Sequence, residues 1–327
     1  SMSDKILNKF LKYSGIFIAG HNGMVGSSIK NNLIENGVEQ NQIITKDRSE
    51  LDLTNQAEVL SFFKESKIDY VILAAAKVGG ISANYNFPAE FIYENLMIQS
   101  NIIFASKKNN IQELLFLGSS CIYPRTENSK LKEEHLLSAK LEKTNEPYAI
   151  AKIAGIKMCE SFNRQYGTDY RSIMPTNLYG VGDNYHPENS HVIPGLIRRF
   201  HDAKINNNEI VEVWGTGKPR REFLNVRDLA EACIHIMSIK KENFKKITEG
   251  MNLINVGSGT DITIEELAYL ISETVGFKGK ISFKNDDLDG VPQKLLDVSK
   301  ITTSGWKPKI DLVNGLRETY KDFLTYN

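Results

Sequence analysis

Residues 16–26 read IFIAGHNGMVG, a short apolar run followed by three glycines spaced as G-x-x-G-x-x-G. Apolar residues then recur at helical spacing, at Val25, Ile29 and Leu33, so the glycines lie on a turn between a strand and a helix. Glycines let backbone N–H groups approach a pyrophosphate at the N-terminus of such a helix. A plain turn is the alternative, but the strand–turn–helix context predicts a dinucleotide site.

The rest of the chain continues this alternation of strands and helices. Further β-rich runs lie at 42–45, 69–75, 114–118 and 169–174. Strands alternating with helices indicate a parallel sheet covered on both faces. We predict an α/β fold, with a Rossmann-type doubly wound parallel sheet and a smaller, mostly C-terminal substrate-binding domain. The dinucleotide-binding domain takes 1–178, with 226–257 returning to it, and the smaller domain takes 179–225 and 258–327.

The composition is that of an ordinary globular protein: 327 residues, 41% hydrophobic and 24% charged, with 40 Lys+Arg against 40 Asp+Glu. Zero net charge supplies no overall attraction to nucleic acid or to a membrane surface. The longest apolar stretches, such as 71–76, are far shorter than the ~20 residues of a membrane span. Three scattered cysteines predict neither a disulfide framework nor a metal site. Because the first residues, SMSD, also lack a signal-peptide pattern, we expect a cytoplasmic protein.

The end of the second strand indicates which dinucleotide binds. An acidic residue there usually binds the ribose of NAD, whereas a cationic residue accommodates the 2′-phosphate of NADP. Residues 45–48 read TKDR, in which Lys46 and Arg48 place positive charge beside one carboxylate. We therefore predict NADP(H), with a solvated charged loop as the alternative.

A tyrosine, a lysine and a serine predict acid–base chemistry. Tyr148 and Lys152 are four residues apart on a predicted helix, which places the phenol and the ammonium on one face. The ammonium favours the phenolate and so should lower the pKa of the phenol. Ser119 follows a strand at the edge where α/β sheets bind ligands, and its hydroxyl can polarise a carbonyl. A surface Tyr–Lys pair is common, but the three signals in this order are specific.

Together these motifs resemble those of the extended short-chain dehydrogenases/reductases, and more closely the GDP-L-fucose synthase family, the GDP-4-keto-6-deoxymannose 3,5-epimerase-4-reductases. The resemblance extends from residue 16 to about residue 306. The blocks that carry it are 20–26 (GHNGMVG), 74–81 (AAAKVGGI), 119–124 (SSCIYP), 147–155 (PYAIAKIAG), 189–194 (NSHVIP), 214–217 (WGTG) and 221–224 (REFL).

The resemblance implies a set of catalytic roles. Hydride would pass from NADPH to C4 of a GDP-linked 4-keto sugar, with Tyr148 protonating the alkoxide and Ser119 hydrogen-bonding the carbonyl. Lys152 would hold the nicotinamide ribose. Cys121 and His191 would act as base and acid on opposite faces of the sugar, inverting C3 and C5 before reduction. Without the resemblance, Cys121 would be a small buried hydrophobe and His191 an ordinary loop histidine.

The resemblance also implies which residues bind the cofactor and the substrate. The cofactor-binding residues would be Gly20, Asn22, Gly23, Met24, Val25, Gly26, Lys46, Arg48, Asp52, Leu53, Ala75, Tyr148, Lys152 and His191. The sugar-nucleotide-binding residues would be Asn177, Arg199, Trp214, Arg221 and Lys294. Arg forks suit diphosphate oxygens, and an indole can cover a sugar or base, although Arg199 could also be a solvated charge. Two departures from the family pattern are Asn22, where an Arg often helps to hold the 2′-phosphate, and Gln293, where a second basic residue is common.

We therefore expect C3/C5 epimerisation followed by NADPH-dependent C4 reduction of a GDP-4-keto-6-deoxy sugar. The alternative within the family is a C4 reductase only, acting on a related GDP-4-keto sugar such as a 4-keto heptose. A third hypothesis is a non-catalytic, cofactor-binding interaction protein on the same fold, against which the complete set of Ser119, Tyr148 and Lys152 argues. Members of the family pair as homodimers, and the apolar faces of 91–103 and 150–162 are candidates for that contact unless they are core.

Overall fold

The computed structural model describes residues 9–78, 81–125, 130–284 and 286–326. The described strands are β1 (Ile16–Ala19), β2 (Ile43–Ile44), β3 (Tyr70–Leu73), β4 (Glu113–Leu117), β5 (Asp169–Pro175), β6 (Asn177–Tyr179), β7 (Ile210–Trp214), β8 (Arg220–Arg221), β9 (Phe223–Asn225), β10 (Leu253–Val256), β11 (Ile262–Thr263), β12 (Lys280–Lys284) and β13 (Gln293–Lys294). The main helices are Met24–Glu35, Gln56–Glu65, Ile81–Asn86, Pro88–Lys108, Glu146–Tyr166, Val192–Ile205, Val226–Ser238, Lys241–Ile247, Ile264–Val275, Ser299–Thr303 and Leu312–Thr325. Gly79 and Gly80 of the block 74–81, and the first residues SMSD, lie outside the described residues.

Six parallel strands form the central sheet, in the order β10-β5-β4-β3-β1-β2. Every residue of β1 and β3 is buried, which is why these strands read as continuous apolar runs rather than alternating ones. The chain runs from β1 outward to β2 and returns to β3 on the other side of β1, so the predicted Rossmann-type sheet is confirmed. Ligands of such sheets bind where the strand order reverses, here at the carboxyl ends of β1 and β3.

Helices cover both faces of this sheet. The first face is covered by Gln56–Glu65, Pro88–Lys108 and Glu146–Tyr166, and the second by Met24–Glu35 and Val226–Ser238. Val59, Ile102 and Ile153 share one apolar core on the first face. Ile29 and Leu229 belong to a second core on the other face. None of the helices in the described ranges is both long and apolar enough to cross a membrane.

A third core lies beyond the large sheet. Here β6 pairs with β9, β7 pairs with β12, and β8 lies between β11 and β13. Phe200 and Ile271 belong to this core. The helices that pack around it are Val192–Ile205, Ile264–Val275 and Leu312–Thr325. Ile301 and Trp306 pack instead in the second core of the large sheet, although the predicted division assigns 258–327 to the smaller domain.

Local caps decide where the helices begin. The helix expected from the apolar spacing at 228–237 spans Val226–Ser238. It starts earlier because Oδ1 of Asn225 accepts a hydrogen bond from N of Arg227 at 2.9 Å. That bond satisfies one of the donors that every helix N-terminus leaves without a partner.

Gly155 lets the helix Glu146–Tyr166 lie directly against β4. A Cβ at this position would be 2.4 Å from Cζ of Phe116 and 3.0 Å from Nε2 of Gln99. We predict that Gly155→Ala lowers the free energy of unfolding by about 1–3 kcal/mol, because overpacking a filled core costs energy of this order. Urea denaturation followed by circular dichroism measures the change.

Gly195→Ala is the matched control for this prediction. Gly195 also lies inside a helix, but its added Cβ would meet only Oγ of Ser190, at 3.1 Å. Ala is favoured over Gly inside a helix, so the control should keep or gain stability. Equal stability of Gly155→Ala and the wild type would contradict the prediction.

Candidate active site

Two of the predicted catalytic side chains lie in one turn directly after β4. Ser119 is the N-cap of the 3₁₀ turn Ser120–Ile122. Its Oγ accepts the N–H of Cys121 at 3.3 Å and donates to Sγ of Cys121 at 3.1 Å. Nδ2 of Asn145 donates to the Cys121 carbonyl at 3.1 Å. We call residues 119–122 the catalytic turn, because it carries two side chains that the sequence predicts to be catalytic.

The predicted Tyr–Lys pair lies on the helix Glu146–Tyr166. Lys152 is 2% exposed, and its Nζ donates to the carbonyl oxygen of Leu117, the last residue of β4, at 2.8 Å. Nζ also lies 5.0 Å from the ring centroid of Phe116 and 5.8 Å from that of Tyr148. The hydrogen bond of Lys152 therefore connects this helix to β4, the strand that precedes the catalytic turn.

Burial governs the protonation of this pair. It lowers the pKa of Lys152 to about 8, against the opposing effect of negative charge on Cys121. It also raises the pKa of Tyr148, and negative charge on Cys121 raises it further. The expectation of a lowered phenol pKa is therefore wrong for this structure, because desolvation has the largest effect on the phenol and raises its pKa. Tyr148 keeps its proton, as a general acid must.

His191 lies on a separate element. It is the N-cap of the helix Val192–Ile205, and its carbonyl accepts the N–H of Gly195 at 2.9 Å. Desolvation by the surrounding protein lowers the pKa of its ring, so the imidazole is mainly neutral at pH 7. No charged group contributes to this shift among the described residues. Negative charge on Cys121 thus acts on both members of the Tyr–Lys pair, whereas desolvation is the cause of the shift at His191.

The glycine turn is shaped by its close approach to β3. Gly20 has φ of 88°, a left-handed conformation that favours glycine, and a Cβ there would lie 2.7 Å from C of Ala74. A Cβ on Gly26 would lie 2.1 Å from the Gly20 carbonyl oxygen. Gly23 caps the next helix without a side chain, and no acidic residue lies in its first turn, which includes Met24 and Val25. The first-turn N–H groups therefore suit an anion, and the turn fits the pyrophosphate of NADP(H).

The loop after β2 carries mixed charge. Nδ2 of Asn22 donates to Oδ1 of Asp47 at 2.9 Å, and Nε2 of His21 lies 3.1 Å from the same oxygen. Nζ of Lys46 is 4.0 Å from a neighbouring carboxylate, and Arg48 is exposed. Lys46 and Arg48, the two cations predicted to bind the 2′-phosphate, are thus at the surface. The carboxylate of Asp47 between them already contacts the side chains of His21 and Asn22.

The remaining predicted cofactor residues differ in the contacts and hydrogen bonds that they already make within the protein. Ala75 follows β3 and lies against Gly20. The carbonyl of Leu53 accepts a hydrogen bond from Nδ2 of Asn101 at 2.9 Å. Oδ1 of Asp52 accepts both N and Oγ1 of Thr54, at 3.0 and 2.6 Å, and these bonds lower its pKa. The carboxylate of Asp52 therefore stabilises its own turn.

Two cations meet on neighbouring short strands. Lys294 of β13 lies opposite Arg221 of β8 in a parallel pairing. Nη1 of Arg221 donates to the carbonyls of Arg220 and Val291, at 2.7 and 2.8 Å. Burial lowers the pKa of both cations, and negative charge on Cys121 opposes this for Lys294. Lys294 is thus within electrostatic reach of the catalytic turn, and a poorly solvated pair of cations favours an anionic ligand.

The other predicted substrate residues fall into two places. The guanidinium of Arg199 lies 5.5 Å from the ring centroid of Trp214, and its Nη2 donates to a carbonyl of β7. Trp214 is 68% exposed, so it offers an open aromatic face. Asn177 lies instead at the start of β6, where its Nδ2 donates to the carbonyl of Glu222 at 3.0 Å, next to Arg221.

Comparisons with known proteins identify the family. The model of the NAD dependent epimerase/dehydratase family matches residues 16–257. A GDP-L-fucose synthase of Escherichia coli (strain K12) is 54% identical over 310 residues, which cover 94% of this chain and 96% of that protein. The chain belongs to the GDP-L-fucose synthase family.

Two solved structures of Campylobacter jejuni enzymes extend the comparison. A GDP-6-OMe-4-keto-L-xylo-heptose reductase is 39% identical with a TM-score of 0.89, over 96% of this chain and 99% of that one. A GDP-D-glycero-L-gluco-heptose synthase, determined in the presence of NADPH, is 39% identical with a TM-score of 0.88, over 95% of this chain and 98% of that one. This GDP-L-fucose synthase family member is therefore also similar to enzymes named for GDP-heptoses.

Sequence reasoning missed the neutral side chains that hold the loops of this family member. The buried amide of Asn95 bonds both the N–H of Lys77, at 2.9 Å, and its carbonyl, at 3.0 Å. Oη of Tyr123 donates to Oδ1 of Asn255 at 2.5 Å and fixes the residue after the catalytic turn. Spacing and charge give no signal for such residues, because each connects segments far apart in the chain. The one available signal was a polar Asn95 within an apolar helical stretch.

The three thiols of the chain differ in environment. Cys159 and Cys233 are buried, and burial raises the pKa of each to about 12. Cys121 is partly exposed and accepts a hydrogen bond from Ser119. Because the thiolate is the reactive form, we predict that iodoacetamide near neutral pH modifies Cys121 and spares the other two, as read by peptide mass spectrometry.

Ser119→Ala tests the hydrogen bond to the sulfur. Without that donor the thiolate is less stabilised, so the modification of Cys121 should slow several-fold. Ser120→Ala is the control, since its hydroxyl makes no bond to the thiol. Modification of Cys159 or Cys233 at the rate of Cys121 would contradict the prediction.

Proposed function

We propose that this protein inverts C3 and C5 of a GDP-4-keto-6-deoxy sugar and then reduces its C4 ketone with NADPH. The observation that carries the proposal is the group formed by Ser119, Cys121, Tyr148 and Lys152 at the carboxyl edge of the sheet. Similarity to GDP-L-fucose synthases over nearly the whole chain supports the same activity. A non-catalytic protein on this fold would have no need for the buried ammonium and the protonated phenol beside the thiol.

Reduction requires a proton donor at the developing alkoxide. Bound NADPH would supply the hydride to C4, held by the glycine turn of Gly20, Gly23 and Met24. Tyr148 gives its phenolic proton to the C4 oxygen, and its raised pKa keeps that proton in place beforehand. Ser119 donates its hydroxyl to the same oxygen, and Lys152 stabilises the negative charge left on the phenolate.

Epimerisation requires a base and an acid on opposite faces of the ring. The thiolate of Cys121 removes the proton next to the ketone, leaving an enediolate, and His191 returns a proton from the other face. The hydroxyl of Ser119 stabilises the thiolate by its hydrogen bond to the sulfur. The lowered pKa of His191 makes its protonated ring a readier donor, while it reduces the fraction that is protonated.

Binding of the GDP part rests on cations and one aromatic face. Arg221 and Lys294 lie opposite each other and suit the two phosphates. Trp214, with Arg199 against its ring, offers a face for the base or the sugar. This assignment supports a division into a cofactor domain (1–178 with 226–257) and a sugar-nucleotide domain (179–225 with 258–327), except that Ile301 and Trp306 pack in the core of the large sheet.

The quaternary structure and the location belong to the same proposal. Tyr93, Phe104 and Ile150 are exposed apolar residues on the two long helices of the first face, which supports a homodimer formed through these helices. All three cysteines are free thiols, which supports a reducing, cytoplasmic location.

A second candidate is C4 reduction without epimerisation. It is favoured by the similarity to the reductase named for a GDP-4-keto heptose. In that case Cys121 and His191 would bind the sugar rather than move protons.

Turnover of GDP-4-keto-6-deoxymannose with NADPH in D₂O separates these candidates. We predict deuterium at two carbon-bound positions of the product, read by mass spectrometry, because inversion at C3 and C5 each takes a proton from solvent. Cys121→Ser should lose the deuterium, and Tyr148→Phe should keep exchange while reduction falls about 100-fold or more. NADPH oxidation without deuterium would favour the C4 reductase, and no turnover would reject this substrate.

The pH dependence of reduction reports on Lys152. The group is charged below its pKa of about 8 and neutral above it, so its support for the Tyr148 phenolate is lost as the pH rises. We predict that kcat/KM for the keto sugar falls through about pH 8, measured by NADPH oxidation. In Lys152→Arg the guanidinium stays charged, and this descending limb should disappear. A limb that is the same in both proteins would contradict the assignment.

A further inference from the structure

Glu222 is a fully buried carboxylate between the segments that carry the proposed diphosphate-binding residues. It is 0% exposed and directly follows Arg221. Lys294 lies two residues before Leu296 on the neighbouring strand segment. Asn177 lies on the far side, at the start of β6. A buried charge costs free energy unless hydrogen bonds compensate it, so its partners indicate what it does.

Both carboxylate oxygens of Glu222 accept backbone N–H groups. Oε2 accepts the N–H of Gly259 at 2.7 Å, in the loop that follows β10. Oε1 accepts the N–H of Leu296 at 3.1 Å, just beyond β13. The carbonyl of Glu222 in turn accepts Nδ2 of Asn177 at 3.0 Å. One residue therefore joins the end of β10, the end of β13 and the start of β6.

The surroundings leave the carboxylate little room to move. A Cβ on Gly257 would lie 2.5 Å from Oε2 of Glu222. Burial raises the pKa of Glu222, and the N–H groups of Gly259 and Leu296 oppose that rise. Oγ of Ser258 also donates to Oε2, at 3.5 Å. Because the two N–H donors approach different oxygens, an amide could accept only one of them and would direct its NH₂ group at the other.

We infer that Glu222 is a positioning residue for the sugar nucleotide. Its carboxylate holds β13 and the loop after β10 against β8, so that Arg221 and Lys294 stay paired beside the catalytic turn. The role is exerted through the backbone, since the carboxylate itself accepts from N–H groups and not from the two cations. This inference rests on the proposed function, because it takes the diphosphate of a GDP-linked sugar as the ligand.

Calorimetric titration with GDP and, separately, with NADP⁺ tests the inference. We expect Glu222→Gln to weaken GDP binding about tenfold or more, because one N–H donor loses its acceptor and the two strand ends separate. The affinity for NADP⁺, which binds at the glycine turn, should change by less than about twofold. In turnover, KM for the sugar nucleotide should rise while kcat is largely retained.

Asp228→Asn is the matched control. Asp228 is also a buried carboxylate that accepts two backbone N–H groups, from Lys309 at 3.1 Å and Ile310 at 3.0 Å. Those residues carry none of the proposed ligand contacts, so this variant should lose thermal stability and keep its GDP affinity. Gly257→Ala should weaken GDP binding in the same way as Glu222→Gln, since the added methyl group displaces the Glu222 carboxylate without removing its charge.

The outcomes distinguish a failure of the proposed function from a failure of the inference about Glu222. A wild-type protein that binds NADP⁺ but not GDP would reject the proposed function and the inference with it. If the wild type binds GDP and Glu222→Gln binds it equally well, the inference alone is overturned. Equal losses of GDP and NADP⁺ affinity would assign Glu222 a purely structural role and also overturn it. Should Glu222→Gln fail to fold, selective loss of GDP binding in Gly257→Ala supports the inference, and retained binding overturns it.

Discussion

The site depends on how closely β1 and β3 bring their carboxyl ends together. The backbone of Gly20 packs against Ala74 and Ala75 with no space for a Cβ, and N of Ala74 donates to the carbonyl of Ala19 at 3.0 Å. A side chain at position 20 would push the strands apart and displace the first turn of the helix Met24–Glu35. The catalytic turn follows the next strand of the same sheet, so its place relative to the glycine turn is set by this packing.

Desolvation also shapes the site, because it shifts the pKa values of several of its side chains. Tyr148, Lys152, Arg221 and Lys294 all have pKa values shifted in the direction that disfavours charge. Cations in this condition gain more from an anionic ligand than solvated ones would. A diphosphate beside Arg221 and Lys294, and negative charge forming near Lys152, would therefore be stabilised by groups that the fold leaves poorly solvated.

Much of the fold and part of the site could be predicted from the sequence. Apolar runs with glycine turns have local signatures, so the sheet, the glycine turn and the shared helix of Tyr148 and Lys152 were recognisable. The protonation of Tyr148 was not, because its spacing from Lys152 suggests a lowered pKa, whereas desolvation in the packed structure raises it. The loop after β2 is a similar case, since the bond between Asn22 and Asp47 has no local signature.

The sequence by itself determined the α/β class and the position of the glycine turn, because each depends on periodicity or spacing within short segments, and its motifs carried the resemblance to the family. Only the tertiary structure decided that Lys294 lies opposite Arg221 and that the Glu222 carboxylate is enclosed by backbone donors. These features depend on contacts between segments distant in the chain and on burial. The burial of a charged or polar side chain is a property of the packed molecule, and its own short segment of sequence does not encode it.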